Sequence, residues 1–320
     1  MIGKIYGTGS SLPKRIVSNH DLAKIVDTND AWIRERTGVA RRRIIREETT
    51  VSMAAEAAQK ALEKSGILPE EIDLILVSTI SSEVILPCTA CEVQKYIKAV
   101  NAAAFDLNAA CAGFLFGYTT AQAYIAAGLA KTVLVVGAES LSNLVDWKDR
   151  STCILFGDGA GAAVLKAERG KIFPSVSHSD GKKGEALTCL SRHRKGAPRK
   201  MRDPQAYIQM DGQAVFKFAV KKVPKAVKEL LEKAELTTDD ITYFILHQAN
   251  RRIVEAVAKR LRADIAKFPM NLEEYGNTSS ASIPILLDEL NRAGKLKKGQ
   301  KIVLAGFGAG LSWGAALLEW

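Results

Sequence analysis

A chain of 320 residues, 47% hydrophobic and 25% charged, can bury one large core or two ordinary ones and reads as a soluble globular protein, not a disordered one. No apolar run reaches the roughly 18 residues that a membrane span requires, so no membrane association is expected. The net charge of +10 steers anions to the surface. Nucleic acid is not expected as the partner, because the chain has no recognisable binding motif and no aromatic interleaving.

The opening residues, MIGKIYGTGS, predict a strand over 2–9. They lack the apolar core and cleavage site of a signal peptide, which predicts a cytoplasmic protein. A helix follows over 50–65, stopped by Gly66, then a strand over 74–79. Next come a helix over 88–99, a strand over 102–107, a long helix over 111–130 and a strand over 133–137. TCILF and GAAVLK, on either side of Asp158-Gly159, predict a hairpin. The basic, turn-rich stretch 180–204 is expected to be surface loop. Beyond it lie predicted helices over 212–234, 250–261 and 280–293, and strands over 241–246, 301–305 and 312–319. Strands alternating with helices indicate an α/β protein with helix-covered sheets.

The chain repeats itself. LEKSGILPEEIDLILVS (62–78) and LEKAELTTDDITYFILH (231–247) align without a gap at an offset of 169. The same offset sets Asn108 against Asn277 and Cys111 against Ser280, and KTVLVVGAE (131–139) matches KIVLAGFGA (301–309) one residue further apart. Three matches in register predict a duplication, with halves 1–170 and 171–320 packed about a pseudo-twofold axis.

Cys111, in DLNAACAGF, falls between a predicted strand and a predicted helix. At a helix N-terminus the unpaired N–H groups and the dipole lower a thiol pKa, so a nucleophile is expected; a packed core cysteine is the alternative. The adjoining Ala109, Ala110, Ala112 and Gly113 are expected to leave room for a substrate. The repeat adds His247 at the carboxyl end of a strand and Asn277 opposite Asn108, where α/β sheets build their sites. Such a set serves two chemistries. Either His activates Cys in a hydrolase, or Cys carries an acyl group while His and Asn hydrogen-bond a second substrate's carbonyl. AGFGAG (305–310) could offer backbone N–H groups to an oxyanion, or be a plain turn. His20, His178 and His193 receive no role.

Other signals are weak. FGDGAGAA lacks the Lys-Ser/Thr of a phosphate loop. CTAC (88–91) has metal-like spacing but no second ligand pair, so no metal is expected. Five cysteines at irregular spacing make no disulfide framework. Basic runs at 34–46, 191–202 and 251–262 read as a solvated face, or as docking ground for a phosphate-bearing ligand or an acidic protein.

DLNAACAGF, FGDGAGAAVL, HQANRRI, YGNTSSASIP and GFGAGLSWGAALLEW together resemble the β-ketoacyl-acyl carrier protein synthase III family of the thiolase superfamily, in order and spacing from Gly3 to Trp320. The resemblance implies a thiolase-like five-layered αβαβα fold and a homodimer. It implies Cys111 as the acylated nucleophile, His247 and Asn277 as the decarboxylation pair, and oxyanion N–H groups from Cys111 and the loop 308–310, with Gly308 and Ala309 at its start. Ala309 departs from the family's commoner triple glycine, so its dihedrals must suit alanine.

Trp32, Arg36, Arg150 and Asn250 match coenzyme A-binding positions, with Arg150 and Trp32 sandwiching the adenine. Lys217, Arg252, Lys259 and Arg260 match the patch that docks the acidic carrier protein. Leu86 stands where many relatives carry phenylalanine, at the end of the acyl pocket across the dimer, which predicts tolerance of longer or branched primers. The implied reaction joins an acyl-coenzyme A primer to malonyl-acyl carrier protein with loss of carbon dioxide and needs no cofactor. A secondary-metabolite condensing enzyme of the same fold, such as a quinolone-type synthase, and a cysteine thioester hydrolase are the alternatives.

Overall fold

The computed structural model describes residues 1–190 and 207–320; the basic run at 191–202, His193 and the end of the expected loop lie outside the described residues. In the first half β1 (Ile2–Ser11) leads through a short helix α1 (Asp30–Thr37) to α2 (Thr50–Ser65) and β2 (Leu74–Ser78). Then come α3 (Thr89–Ile97), β3 (Ala103–Leu107), α4 (Gly113–Ala126), β4 (Thr132–Glu139) and β5 (Gly159–Glu168). The second half holds β6 (Ser175–Ser179), α5 (Gly212–Ala234), β7 (Tyr243–Leu246), α6 (Arg251–Leu261), α7 (Ser282–Arg292), β8 (Lys301–Gly308) and β9 (Ser312–Glu319).

The first sheet runs β1-β5-β4-β2-β3 and the second β7-β8-β9-β6. Strand β4 pairs parallel with β2 and antiparallel with β5, which pairs antiparallel with β1. Strand β8 repeats this, parallel to β7 and antiparallel to β9, which pairs antiparallel with β6. The two sheets share one topology, and the first adds β3 at its edge.

Five layers follow from period-two alternation along the central strands. Ile75 and Val77 of β2 and Leu134 and Val136 of β4 pack under α2 and α3. Their neighbours Leu74, Leu76, Val133 and Val135 face the other way, onto α4 and α7. Ile302 and Leu304 of β8 meet the same two helices from the opposite side, while Val303, Ala305 and Phe307 turn outward to α5 and α6. Helices and sheets therefore stack α-β-α-β-α, as expected, and α4 and α7 form the middle layer that both sheets bury. Near-continuous apolar strands are what sheets covered on both faces require.

The repeat extends to backbone detail. A 3-10 turn Ala110–Ala112 precedes α4, and its counterpart Ser279–Ala281 precedes α7. Ala110 (φ 45°) and Ser279 (φ 49°), 169 residues apart, both hold the left-handed conformation that side chains rarely adopt. In each turn the preceding asparagine secures it: Asn108 Oδ1 accepts from Ala110 N at 3.3 Å, and Asn277 Oδ1 from Ser279 N at 2.9 Å.

Two expectations are corrected. The hairpin about Asp158-Gly159 does not form. TCILF lies in a short helix (Arg150–Cys153) and the turn after it, while GAAVLK belongs to β5, whose partners are β1 and β4. The Asp158 side chain accepts from Ser142 N, Ser142 Oγ and Ile45 N, so it ties loops together instead of turning a hairpin. The long helix expected over 111–130 is shorter and starts at Gly113, because the positive φ at Ala110 breaks the helical path ahead of it.

Candidate active site

Cys111 occupies the middle of the 3-10 turn Ala110–Ala112, just ahead of α4, and is 8% exposed. Its small neighbours serve backbone approach before they serve a ligand. A Cβ on Gly113 would lie 1.7 Å from Ser78 Oγ, and one on Gly308 would lie 2.7 Å from Cys111 N. The carboxyl end of β8 is thereby pressed against the Cys111 peptide. Ala309 follows with no positive φ, so alanine fits there, and the left-handed geometry falls on Gly310 (φ 139°).

The thiol is not acidified as expected from a helix N-terminus. Burial pushes the Cys111 thiol up to about 12, and the Glu139 charge adds to that, while the Ser279 hydroxyl acts in the opposite direction. Desolvation outweighs the dipole because the side chain is enclosed and the regular helix begins two residues later. The resting site holds a thiol.

His247 extends β7 by one residue, donating its N–H to Ala305 O at 2.8 Å. It is 2% exposed, meets the Phe307 ring edge-on at 5.3 Å and sets Nδ1 2.7 Å from Ser282 Oγ. Burial lowers its pKa to about 3, so the imidazole is neutral. Asn277 is held on three sides. Its N–H donates to Leu155 O, its C=O accepts from Gly157 N, and its Oδ1 accepts from Ser279 N. With Oδ1 engaged, Nδ2 is the donor that remains.

Cys111, His247, Asn277 and Gly308 line one cavity of about 650 Å³. Trp32, Arg36, Asn250, Lys217 and Arg252 line the same cavity. Trp32 and Arg36 share one face of α1, with the guanidinium 5.2 Å from the indole centre. Arg150 stands 5.1 Å from the same ring and donates to Asp27 O at 2.7 Å. In this arrangement guanidinium and indole already touch, so a purine could stack between them only if Arg150 swung aside. Asn250 caps α6, accepting from Arg252 N, and donates to Arg36 O at 3.0 Å, which ties that helix to α1. Lys259 and Arg260 lie in the last turn of α6, where both are exposed.

Leu86 stands apart. It is 84% exposed, on the loop before α3, and is not among the residues lining the cavity of its own chain.

Sequence reasoning overlooked Glu139. This fully buried carboxylate accepts from Ser81 Oγ (2.6 Å), Ile80 N (3.1 Å), Ser279 Oγ (3.0 Å) and Ser280 Oγ (3.0 Å), and burial raises its pKa. The signal was a charged residue ending the apolar run KTVLVVGAE. Ser279 and Ser282 were hidden within the YGNTSSASIP motif, where only the asparagine drew notice.

Comparison with known proteins gives matching names. Residues 105–181 match the family model described as 3-oxoacyl-[acyl-carrier-protein (ACP)] synthase III, and residues 231–320 match the model of its C-terminal part. The beta-ketoacyl-[acyl-carrier-protein] synthase III of Clostridium tetani is 49% identical, covering 99% of this chain and 98% of the relative. The enzyme of that name from Clostridium acetobutylicum is 48% identical over the same shares. The crystal structure of 3-oxoacyl-[acyl-carrier-protein] synthase III from Aquifex aeolicus superposes with a TM-score of 0.94 at 45% identity, covering 99% of this chain and 100% of that one. The priming β-ketosynthase of the R1128 polyketide pathway superposes with a TM-score of 0.92 at 38% identity, covering 99% and 96%.

Proposed function

The chain belongs to the β-ketoacyl-acyl carrier protein synthase III family, and from that membership we infer that it is an acyltransferase-type condensing enzyme initiating type II fatty acid synthesis. Its substrates are an acyl-coenzyme A primer and malonyl-acyl carrier protein. The observation that carries the residue assignment is the shared cavity: Cys111, His247, Asn277 and the Gly308 backbone open onto one space that also reaches Trp32 and Arg252.

In the first half-reaction Cys111 attacks the primer thioester. Its sulfur gains the acyl group, and the thiol proton leaves with coenzyme A. The transient oxyanion would be held by the Cys111 N–H and the backbone at Gly308 and Ala309. Malonyl-acyl carrier protein then enters. His247 Nε2–H and Asn277 Nδ2–H hydrogen-bond its thioester carbonyl, so departure of carbon dioxide leaves a stabilised enolate. The enolate attacks the acyl-cysteine, giving the 3-ketoacyl product and a cysteine thiolate that takes a proton from solvent. No resident cofactor is called for, since substrate thioester and side chains supply every group.

Trp32, Arg36, Arg150 and Asn250 would hold coenzyme A; their mutual contacts around one cavity edge support that assignment. Lys217, Arg252, Lys259 and Arg260 would dock the acidic carrier protein. A homodimer is supported by the open edge at β3, where Phe105 is 37% exposed, and by the exposed Ile85 and Leu86 on the loop before α3. Leu86 would then end the acyl pocket of the partner and admit branched primers. A cytoplasmic location completes the proposal; among the described residues no helix is long and apolar enough to cross a membrane.

Intact-protein mass after mixing with acetyl-, butyryl- and isobutyryl-coenzyme A tests the first half-reaction, and addition of malonyl-acyl carrier protein the second. One acyl group on Cys111 followed by 3-ketoacyl product is expected. Steady release of free acid without condensation would return the site to the hydrolase alternative, and strict rejection of both larger primers would overturn the role of Leu86.

A further inference from the structure

The CTAC motif takes no part in the chemistry above, yet its two sulfurs meet. Cys88 is the N-cap of α3 and Cys91 its third residue, the pair of positions that an N-cap side chain spans. Cys88 makes no side-chain cap bond, and its Sγ lies 3.4 Å from Cys91 Sγ. Both side chains are partly exposed, whereas Cys111 and Cys153 are buried. A disulfide has S–S near 2.05 Å, so closure needs an approach of about 1.4 Å within one helical turn. Metal binding does not explain the pair, since among the described residues no group of three His, Cys, Asp or Glu side chains could hold an ion.

We propose that Cys88 and Cys91 form a vicinal redox pair, reversibly closed to a disulfide by small-molecule disulfides of the glutathione class. One thiolate attacks the external disulfide, releasing one thiol and forming a mixed disulfide. The second thiolate displaces the remaining external thiol, so the protein gives up two protons and two electrons and the reagent takes up both. The environment favours a modifiable pair over a fast oxidoreductase centre. The helix N–H groups of Thr89 and Ala90 are already taken by Asp106, at 2.9 and 2.7 Å. The hydrogen bond to Cys88 foremost, then burial, and to a lesser degree that carboxylate and Glu92 raise the Cys91 thiol above its ordinary range.

The bond would close at the foot of a loop with functional neighbours. Thr89 Oγ1 donates to Ser82 Oγ at 2.9 Å, and the loop between them carries Val84, Ile85 and Leu86. One residue before Ser82, Ser81 reaches Glu139.

The test uses the reduced full-length enzyme in oxidised glutathione at pH 8, quenched with acid, alkylated and mapped by mass. The expected result is a peptide containing residues 88 and 91 that is lighter by two hydrogens, resists alkylation and is restored by dithiothreitol. In Cys88→Ser the same treatment should leave Cys91 free or glutathionylated, never closed. The proposal is overturned if both thiols of the folded wild type stay alkylatable, or if a glutathione adduct persists on either without resolution.

Discussion

His247 Nδ1 lies 2.7 Å from Ser282 Oγ, and that hydroxyl also lies 2.9 Å from Ser279 O while accepting from Gln248 N. Ser282 has one proton and two acceptors for it. When the proton goes to Nδ1, Nε2 carries hydrogen and donates into the cavity; when it goes to Ser279 O, Nε2 becomes an acceptor. The proposed decarboxylation needs the donor form. Ser282→Ala should therefore slow malonyl decarboxylation about tenfold, within the roughly 1–3 kcal/mol of a lost buried partner. Acyl uptake should change less than about twofold on the same scale, and Ser282→Thr should restore the rate. Separate assays of the two half-reactions check this; equal loss in both would assign Ser282 to folding alone.

Removing the imidazole itself should split the reaction more sharply. His247→Ala is expected to acquire an acyl group on Cys111 but to lose on the order of 3 kcal/mol in the decarboxylation barrier, about a hundredfold in rate. Mass analysis of the acyl-enzyme and product formation from malonyl-acyl carrier protein measure the two steps. A folded variant that fails to acylate would contradict the division of labour.

The same burial makes stability pH-dependent. His247 has a pKa of about 3 when folded and an ordinary value near 6.5 when unfolded, so between these limits the unfolded chain binds the extra proton. Stability from this group is intact above pH 6.5 and declines as pH falls, by at most about 1.4 kcal/mol per unit. Urea unfolding at pH 7.5, 6 and 5 should show that slope in the wild type and a shallower one in His247→Asn. Parallel curves for both proteins would place the acid sensitivity elsewhere.

Legibility in the sequence followed the physics of each feature. Helix 50–65 was readable to its last residue because Gly66 supplies the αL stop (φ 65°), and 212–234 because its apolar stripe is unbroken. The duplication was legible because sequence identity survived at a fixed offset, and it led to His247 and Asn277. The turns that set the site were not. Ala110 and Ser279 are neither glycine nor asparagine, so nothing local announces their positive φ; tertiary packing imposes it. The thiol's electrostatics were likewise hidden, since a helix N-terminus is visible in sequence and desolvation is not. Asp158-Gly159 misled because turn chemistry served a loop tie.

Glu139 offers a test of that electrostatic account. Its carboxylate sits behind Ser279 and pushes the Cys111 thiol upward. Glu139→Gln keeps the shape and removes the charge, so the pH midpoint for iodoacetamide alkylation of Cys111 should move down. An upward shift in a folded variant would mean that the carboxylate assists deprotonation through Ser279. Thermal unfolding should also shift, because one donor–acceptor pair around residue 139 becomes mismatched.

Gly308 brings the carboxyl end of β8 against the turn that holds Cys111. An added Cβ would stand 2.7 Å from Cys111 N and 3.1 Å from Cys111 Cβ, and no positive φ strains alanine there, so the effect of Gly308→Ala comes from space alone. Either β8 or the 3-10 turn must yield, and both of the proposed oxyanion donors move with them. Overpacking of this kind costs about 1–3 kcal/mol in stability, while misplacing a donor costs about a hundredfold in rate. Acyl uptake by Gly308→Ala should therefore fall far more than its unfolding midpoint suggests. Gly181→Ala, where a Cβ meets nothing within 4 Å, serves as the control and should keep both. If Gly308→Ala acylates at the wild-type rate, the oxyanion site does not lie between these two peptides.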